Sequence, residues 1–242
     1  MLCLFGALGV AAYIGWIQWG TGFLTARSQD RLRTEIDQRI ADARAGRPAA
    51  SERISLPGDA VAIIRIPTIH LDMVVVEGVS TADLQKGPGH YPKTAYPWQP
   101  TGRVGIAGHR TTYLHPFWNL DHVRPGDRIS LVTEYGTFDY DVTGSRVVLP
   151  TDVGVLRQTE APTLVLTACT PRFSASRRLV VFARRTAGSA EGPQVRVVGA
   201  GAVAGVGPGD DIVRSLVITL VVSFGVGGGY LALKAARRRR AR

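Results

Sequence analysis

The stretch Leu164-Val-Leu-Thr-Ala-Cys-Thr-Pro171 reads as a short apolar strand that ends on a cysteine and is halted by a proline soon after. Cys169 is the only cysteine between two long apolar segments; the other, Cys3, lies inside the first of them. A thiol with no partner in its own domain is either incidental or reactive. Free cysteines often act as small buried hydrophobes, so the residues around Cys169 decide between the two.

Moving outward, the flanking chain is strand-like. Ala60 to Ile66, Leu71 to Val76, Val104 to Ala107, Arg128 to Thr133, Thr137 to Val142, Arg146 to Leu149, Leu164 to Thr167 and Arg178 to Ala183 are rich in β-branched residues. Turn residues punctuate them, as in Arg124-Pro-Gly-Asp127 and Glu134-Tyr-Gly136. Only short segments near Thr81 to Gln85 and Pro116 to His122 look helical. About eight short strands in so compact a segment predict an all-β fold, a closed or nearly closed barrel, because closure removes exposed edges.

Two other residues stand at strand ends. His109 closes Val104-Gly-Ile-Ala-Gly-His109, where Gly108 lets the backbone approach another element. Arg178 opens Arg178-Leu-Val-Val-Phe-Ala183. Sequence adjacency predicts that this strand pairs beside the one carrying Cys169, so a guanidinium at its start can reach the thiol region. Alternation puts Arg178, Val180 and Phe182 on one face, so Arg177 and Arg178 cannot both point inward. A structural histidine and a solvated strand start are the plainer readings of each residue alone. His115 and His122 are further candidates, His70, His90 and His122 are turn-like, and no zinc spacing appears. A metal shared by His109, His115 and an acid is a minor alternative.

Beyond the barrel, Leu2 to Leu24 and Ser215 to Leu233 are apolar and long enough to cross a hydrocarbon core of about 30 Å. A cleaved signal peptide is the rival for the first, but no basic residue precedes Arg27. A buried soluble helix is the rival for the second. The net charge of +10 concentrates at the far end: between Thr25 and Asp211 there are 22 Lys/Arg and 19 Asp/Glu. Lys234 and Arg237 to Arg240 therefore read as a topology signal, not a nucleic-acid surface. The expected order is a transmembrane segment (1–24), a juxtamembrane solvated helix and linker (25–57), the barrel (58–185) and a flexible stem (186–211). A second transmembrane segment (212–234) and a basic cytoplasmic tail (235–242) complete it. This predicts a two-pass membrane protein, with lipid as a partner, both termini cytoplasmic and the barrel outside. Gly205-Val-Gly-Pro-Gly-Asp210 lacks the strand and the Lys-Ser/Thr of a nucleotide loop.

Together, Val165-Leu-Thr-Ala-Cys169, Arg178-Leu-Val-Val-Phe-Ala183 and Ala107-Gly-His-Arg110 resemble the sortases, membrane-anchored cysteine transpeptidases of Gram-positive bacteria. Gly-His-Arg-Thr-Thr-Tyr113, with Pro116-Phe117 and Arg124-Pro-Gly-Asp127, looks most like the class E enzymes of actinobacteria. The resemblance implies a closed eight-stranded sortase-type β-barrel and cleavage of a Leu-Ala-x-Thr-Gly or Leu-Pro-x-Thr-Gly sorting signal between Thr and Gly. It makes Cys169 the nucleophile, His109 the general acid and base, and Arg178 the oxyanion partner. Thr167, Ala168 and Tyr113 follow as substrate-binding candidates. The implied partners are secreted proteins with a C-terminal sorting signal and a peptidoglycan-precursor amine or pilin lysine; no cofactor is implied. Ala168 and Val165 stand where the family usually has threonine, and Leu114-His115 where class E often carries a small pair. Ala168 is expected to alter substrate preference or rate. A second apolar segment is similar to class C, so pilin polymerisation is one alternative. A cell-wall cysteine hydrolase and a non-enzymatic membrane scaffold are the others.

Overall fold

The computed structural model describes Gly6, Gly9, residues 21–47 and residues 55–186. Eight strands close a barrel: β1 (Ala60–Ile66), β2 (Leu71–Glu77), β3 (Gly89–His90), β4 (Arg103–Ala107), β5 (Arg128–Thr133), β6 (Gly136–Val148), β7 (Thr163–Thr170) and β8 (Arg177–Arg185). Their order around the barrel is β1-β2-β3-β4-β7-β8-β6-β5. Neighbours are antiparallel except β2 with β3 and β4 with β7. The short helix α2 (Thr81–Leu84) starts on a capping box: Ser80 Oγ accepts from the Asp83 amide, while the Ser80 amide donates to Asp83 Oδ2 at 3.1 Å.

The expected barrel forms, with two changes in how its strands are drawn. Thr137–Val142 and Arg146–Leu149, read as separate strands, lie largely in the single β6. Its register with β8 shifts between Val142 and Gly144, so one long strand bends where the sequence suggests a break. β3 carries no strand pattern because it is two residues long. A Cβ at Gly89 would lie 2.2 Å from the Gly78 carbonyl oxygen, so only glycine permits this approach. His90, expected in a turn, is fully buried in β3. Its Nδ1 is 2.9 Å from Glu77 Oε2 and its Nε2 3.0 Å from the Ala95 carbonyl. In the segment expected to be helical near residues 116–122, only Leu120–His122 forms a 3-10 turn.

Alternation builds the core. On β7, Leu164, Leu166 and Ala168 join Ile64, Ile106, Phe117, Leu131, Phe138 and Val181 inside the barrel. The opposite face of β7 and β8 presents Val165 and Val180, covered by Val155.

The helix α1 (Thr21–Arg44) has Leu32, Ile36 and Ile40 on one stripe. These pack on Ala60, Ile63, Val74, Val76 and Val132, on the outside of the barrel. The segment expected to be a solvated helix is thus docked, and each buried aliphatic contributes roughly 1.5–3 kcal/mol. Gln29 adds a polar clasp. Its amide nitrogen donates to the carbonyls of Val74 (3.0 Å) and Lys86 (2.8 Å), and its amide oxygen accepts from the Val74 N–H (2.7 Å).

The expected transmembrane helices require correction. No helix among the described residues is long and apolar enough to cross a membrane. Thr21 to Leu24, the end of the first expected segment, form the first turn of α1. That helix continues through Arg27, Asp30, Arg31, Arg33 and Glu35, charges that a hydrocarbon core would not accept. The expectations of two transmembrane anchors, a lipid partner and a two-pass membrane location are withdrawn with it. The remaining expected apolar residues, apart from Gly6 and Gly9, lie outside the described residues, as do the stem beyond Thr186 and the basic tail.

Candidate active site

β7 holds Cys169 between two neighbours. On one side the antiparallel register sets Cys169 directly opposite Arg178 of β8. Directly opposed residues share a sheet face, so Cys169 and Arg178 lie with Val165 and Val180, away from the barrel interior. Arg178 Nη1 donates to the carbonyls of Ala175 (2.9 Å) and Arg177 (3.2 Å), which ties the guanidinium to the loop leaving Cys169. Arg177 pairs with Thr170 and is exposed.

On the other side β4 runs parallel to β7, with Ala107 opposite Thr167 and the Gly108 N–H donating to the Thr167 carbonyl at 3.0 Å. His109 follows two residues after the last pair of this ladder, as Cys169 does on β7. Gly108 permits close packing here, because a Cβ there would sit 2.5 Å from the buried Phe117 ring. The Phe117 N–H donates to the His109 carbonyl at 3.1 Å.

The His109 ring packs on Tyr113 at a centroid distance of 4.8 Å. The Tyr113 hydroxyl accepts from Gln85 Nε2 at 3.2 Å. Tyr113, Leu114 and His115 have φ of 54°, 61° and 39°, three consecutive left-handed residues without a glycine. Such residues cost energy and persist only where their surroundings fix them. His115 stands edge-on to Trp118, and no three His, Cys, Asp or Glu side chains among the described residues are grouped to hold a metal ion.

Thr167 shares the Cys169 face and is buried, its Oγ1 3.0 Å from the Tyr91 hydroxyl. Burial pushes the Tyr91 phenol up. The Thr167 hydrogen bond and the Arg178 guanidinium pull it down, and Cys169 raises it, so all three lie within its electrostatic reach. Ala168 is placed elsewhere than expected. It is 2% exposed and belongs to the barrel core, because alternation turns it away from Cys169. Its side chain does not share the face of Cys169.

Sequence reasoning missed Tyr91 and Arg110. Tyr91 lies in the connection after β3 and reaches Thr167 only through the β3–β4–β7 pairing. Arg110 follows His109, but only its burial at 5% exposure marks it as more than a surface charge.

The chain belongs to the sortase family: residues 64–186 match the Sortase domain. It is similar to Sortase D of Bacillus subtilis (strain 168), 34% identical over 133 residues that cover 53% of this chain and 65% of that protein. It is also similar to Sortase SrtE1 of Streptomyces coelicolor, 32% identical over 143 residues that cover 53% of this chain and 41% of that protein. The match thus spans less than two thirds of either relative. Among solved structures, a Clostridium perfringens Sortase D5 transpeptidase superposes with a TM-score of 0.58 at 28% identity, covering 66% of this chain and 99% of that one.

Proposed function

We propose that this sortase-family chain is a cysteine transpeptidase that cuts a Leu-Ala-x-Thr-Gly or Leu-Pro-x-Thr-Gly sorting signal between Thr and Gly. The observation that carries the reading is the placement of Cys169 on β7, opposite Arg178 on β8 and beside the end of β4 that leads to His109.

The Cys169 thiolate attacks the threonine carbonyl carbon, forming a C–S bond and an oxyanion. The Arg178 guanidinium stabilises that charge. Collapse of the oxyanion breaks the C–N bond to glycine, whose nitrogen takes a proton from the His109 imidazolium. The product is a thioester on Cys169. An incoming primary amine, from a peptidoglycan precursor or a pilin lysine, then attacks the thioester carbonyl and gives its proton to His109. The C–S bond breaks and the thiolate returns. Thr167 and Tyr113 flank this line of residues, Thr167 held by Tyr91 and Tyr113 against the His109 ring.

Intact-protein mass spectrometry tests the reading. After mixing with either peptide, the protein should gain the mass of the fragment up to threonine, and hydroxylamine should release it. Retention of the adduct by Cys169→Ala, or no adduct with any sorting peptide, sinks the assignment.

A further inference from the structure

We infer that Arg110 is a positioning residue that clamps the two arms of the active site together through Thr170, an inference that rests on the transpeptidase reading above. Arg110 directly follows His109, and Thr170 directly follows Cys169. The Arg110 guanidinium is buried, yet it serves three partners on two segments. Nη1 donates to Thr170 Oγ1 at 2.9 Å, Nη2 pairs with Asp121 Oδ2 at 2.8 Å, and Nε points to the Trp118 carbonyl at 3.4 Å. Asp121 accepts a second guanidinium, that of Arg172 at 3.2 Å, which lies over the Trp118 ring at 4.7 Å and donates to the Trp118 carbonyl at 3.1 Å.

A buried guanidinium is costly unless its donors are satisfied. Here the donors of Arg110, the residue after His109, are spent on Thr170, the residue after Cys169, and on the 118–121 segment. The neighbouring pairing of β4 with β7 ends at Ala107 and Thr167. Past that point, the Arg110–Thr170 bond links the residues that follow the histidine and the cysteine. The planar fork explains why arginine suits this site: it donates in separate fixed directions, whereas a lysine head is one point charge. Transfer chemistry is sensitive to such spacing, and a displacement of about 1 Å costs on the order of a hundredfold in rate.

The test uses the full-length chain with Leu-Ala-x-Thr-Gly and Leu-Pro-x-Thr-Gly peptides and reads single-turnover acylation of Cys169, kcat, KM and thermal midpoint. Thr170→Val should slow acylation about tenfold with KM changed less than about twofold, and Thr170→Ser should restore it. Arg110→Lys should slow it by about ten- to a hundredfold. The double variant Arg110→Lys/Thr170→Val should be no slower than Arg110→Lys alone, because both remove one link. A purely structural role would lower the thermal midpoint and leave kcat unchanged at temperatures where the variants are folded; that result overturns the inference. Additive losses in the double variant overturn it as well. If the unaltered chain forms no thioester with any peptide, the transpeptidase reading falls and the inference with it. If that chain acylates and Thr170→Val keeps pace, only the role of Arg110 falls.

Discussion

Cys169 and Arg178 face each other across the β7–β8 pair, on adjacent strands of a closed barrel. Their separation is fixed by strand register and not by a flexible loop. Arg178 is also held by the carbonyls of Ala175 and Arg177. Arg178→Ala should therefore lower the acylation rate by about 10²–10³-fold, the loss typical of one oxyanion donor. Labelling of Cys169 by a thiol reagent should persist. An Arg178→Ala enzyme with unaltered acylation would remove the guanidinium from the mechanism.

Tyr91 and Thr167 share a part-buried hydrogen bond. Tyr91→Phe leaves the Thr167 hydroxyl without this partner and should cost about 1–3 kcal/mol. Thr167→Val made in the Tyr91→Phe background should recover part of that loss, because both polar groups are then gone. Urea unfolding of the four proteins in the cycle measures the coupling. Coupling near zero would show that the two hydroxyls do not stabilise each other.

Ala168 fills a core position among close-packed aliphatics. Ala168→Thr restores the usual family residue, but it adds volume and a hydroxyl inside the barrel. It should destabilise the fold by about 1–3 kcal/mol and leave peptide preference unchanged. A switch in preference between the two sorting peptides would contradict this placement.

Asp121 gives a pH signature. Burial raises its carboxyl, but Arg110, its own backbone N–H and Arg172 outweigh burial and hold it below the usual carboxylate range. A lowered folded value stabilises above the unfolded value, about 3.9, and that stabilisation is lost as pH falls through the folded value. Asp121→Asn should therefore melt below the unaltered protein at pH 7. The gap should narrow as pH drops below about 4. A gap that is constant with pH would mean that charge is not what Asp121 contributes.

Ile36 is 1% exposed and lies between α1 and the barrel. Ile36→Ala should cost about 2–5 kcal/mol in denaturant unfolding. A loss below about 0.5 kcal/mol, the range of surface substitutions, would show that α1 does not share the barrel's stability.

Much of the barrel is legible in the chain because its strands are β-branched and bounded by turn residues. The limits of β1 and β5 coincide with the apolar runs Ala60–Ile66 and Arg128–Thr133. β3 is not legible, since two residues carry no period and Gly89 is chosen for lack of space. β6 is misread as two strands because the apolar pattern breaks after Val142, whereas the chain takes up the register shift at Thr143 and keeps pairing with β8 through Gly144 and Ser145. Leu32, Ile36 and Ile40 are visible as a stripe, but the charges around them hide the fact that the stripe is covered. At the site, Cys169, His109 and Arg178 stand out as chemically distinctive residues at strand ends. Tyr91 and Asp121 depend on contacts spanning 76 and 51 residues, to Thr167 and Arg172, and no local pattern encodes such distances.

The Gln29 clasp changes where this domain can be cut. β3 pairs with β2 only at Val76 and Glu77, so upstream of them the β2 edge lacks a strand partner on that side. The Gln29 side chain takes the place of a strand residue there, giving and receiving a hydrogen bond at Val74. A fragment that begins at the first strand would bare this edge and the apolar surface under Ile36, a template for pairing with a second copy. A fragment for crystallisation or enzymology should begin at Thr21, and one trimmed to residue 58 should self-associate.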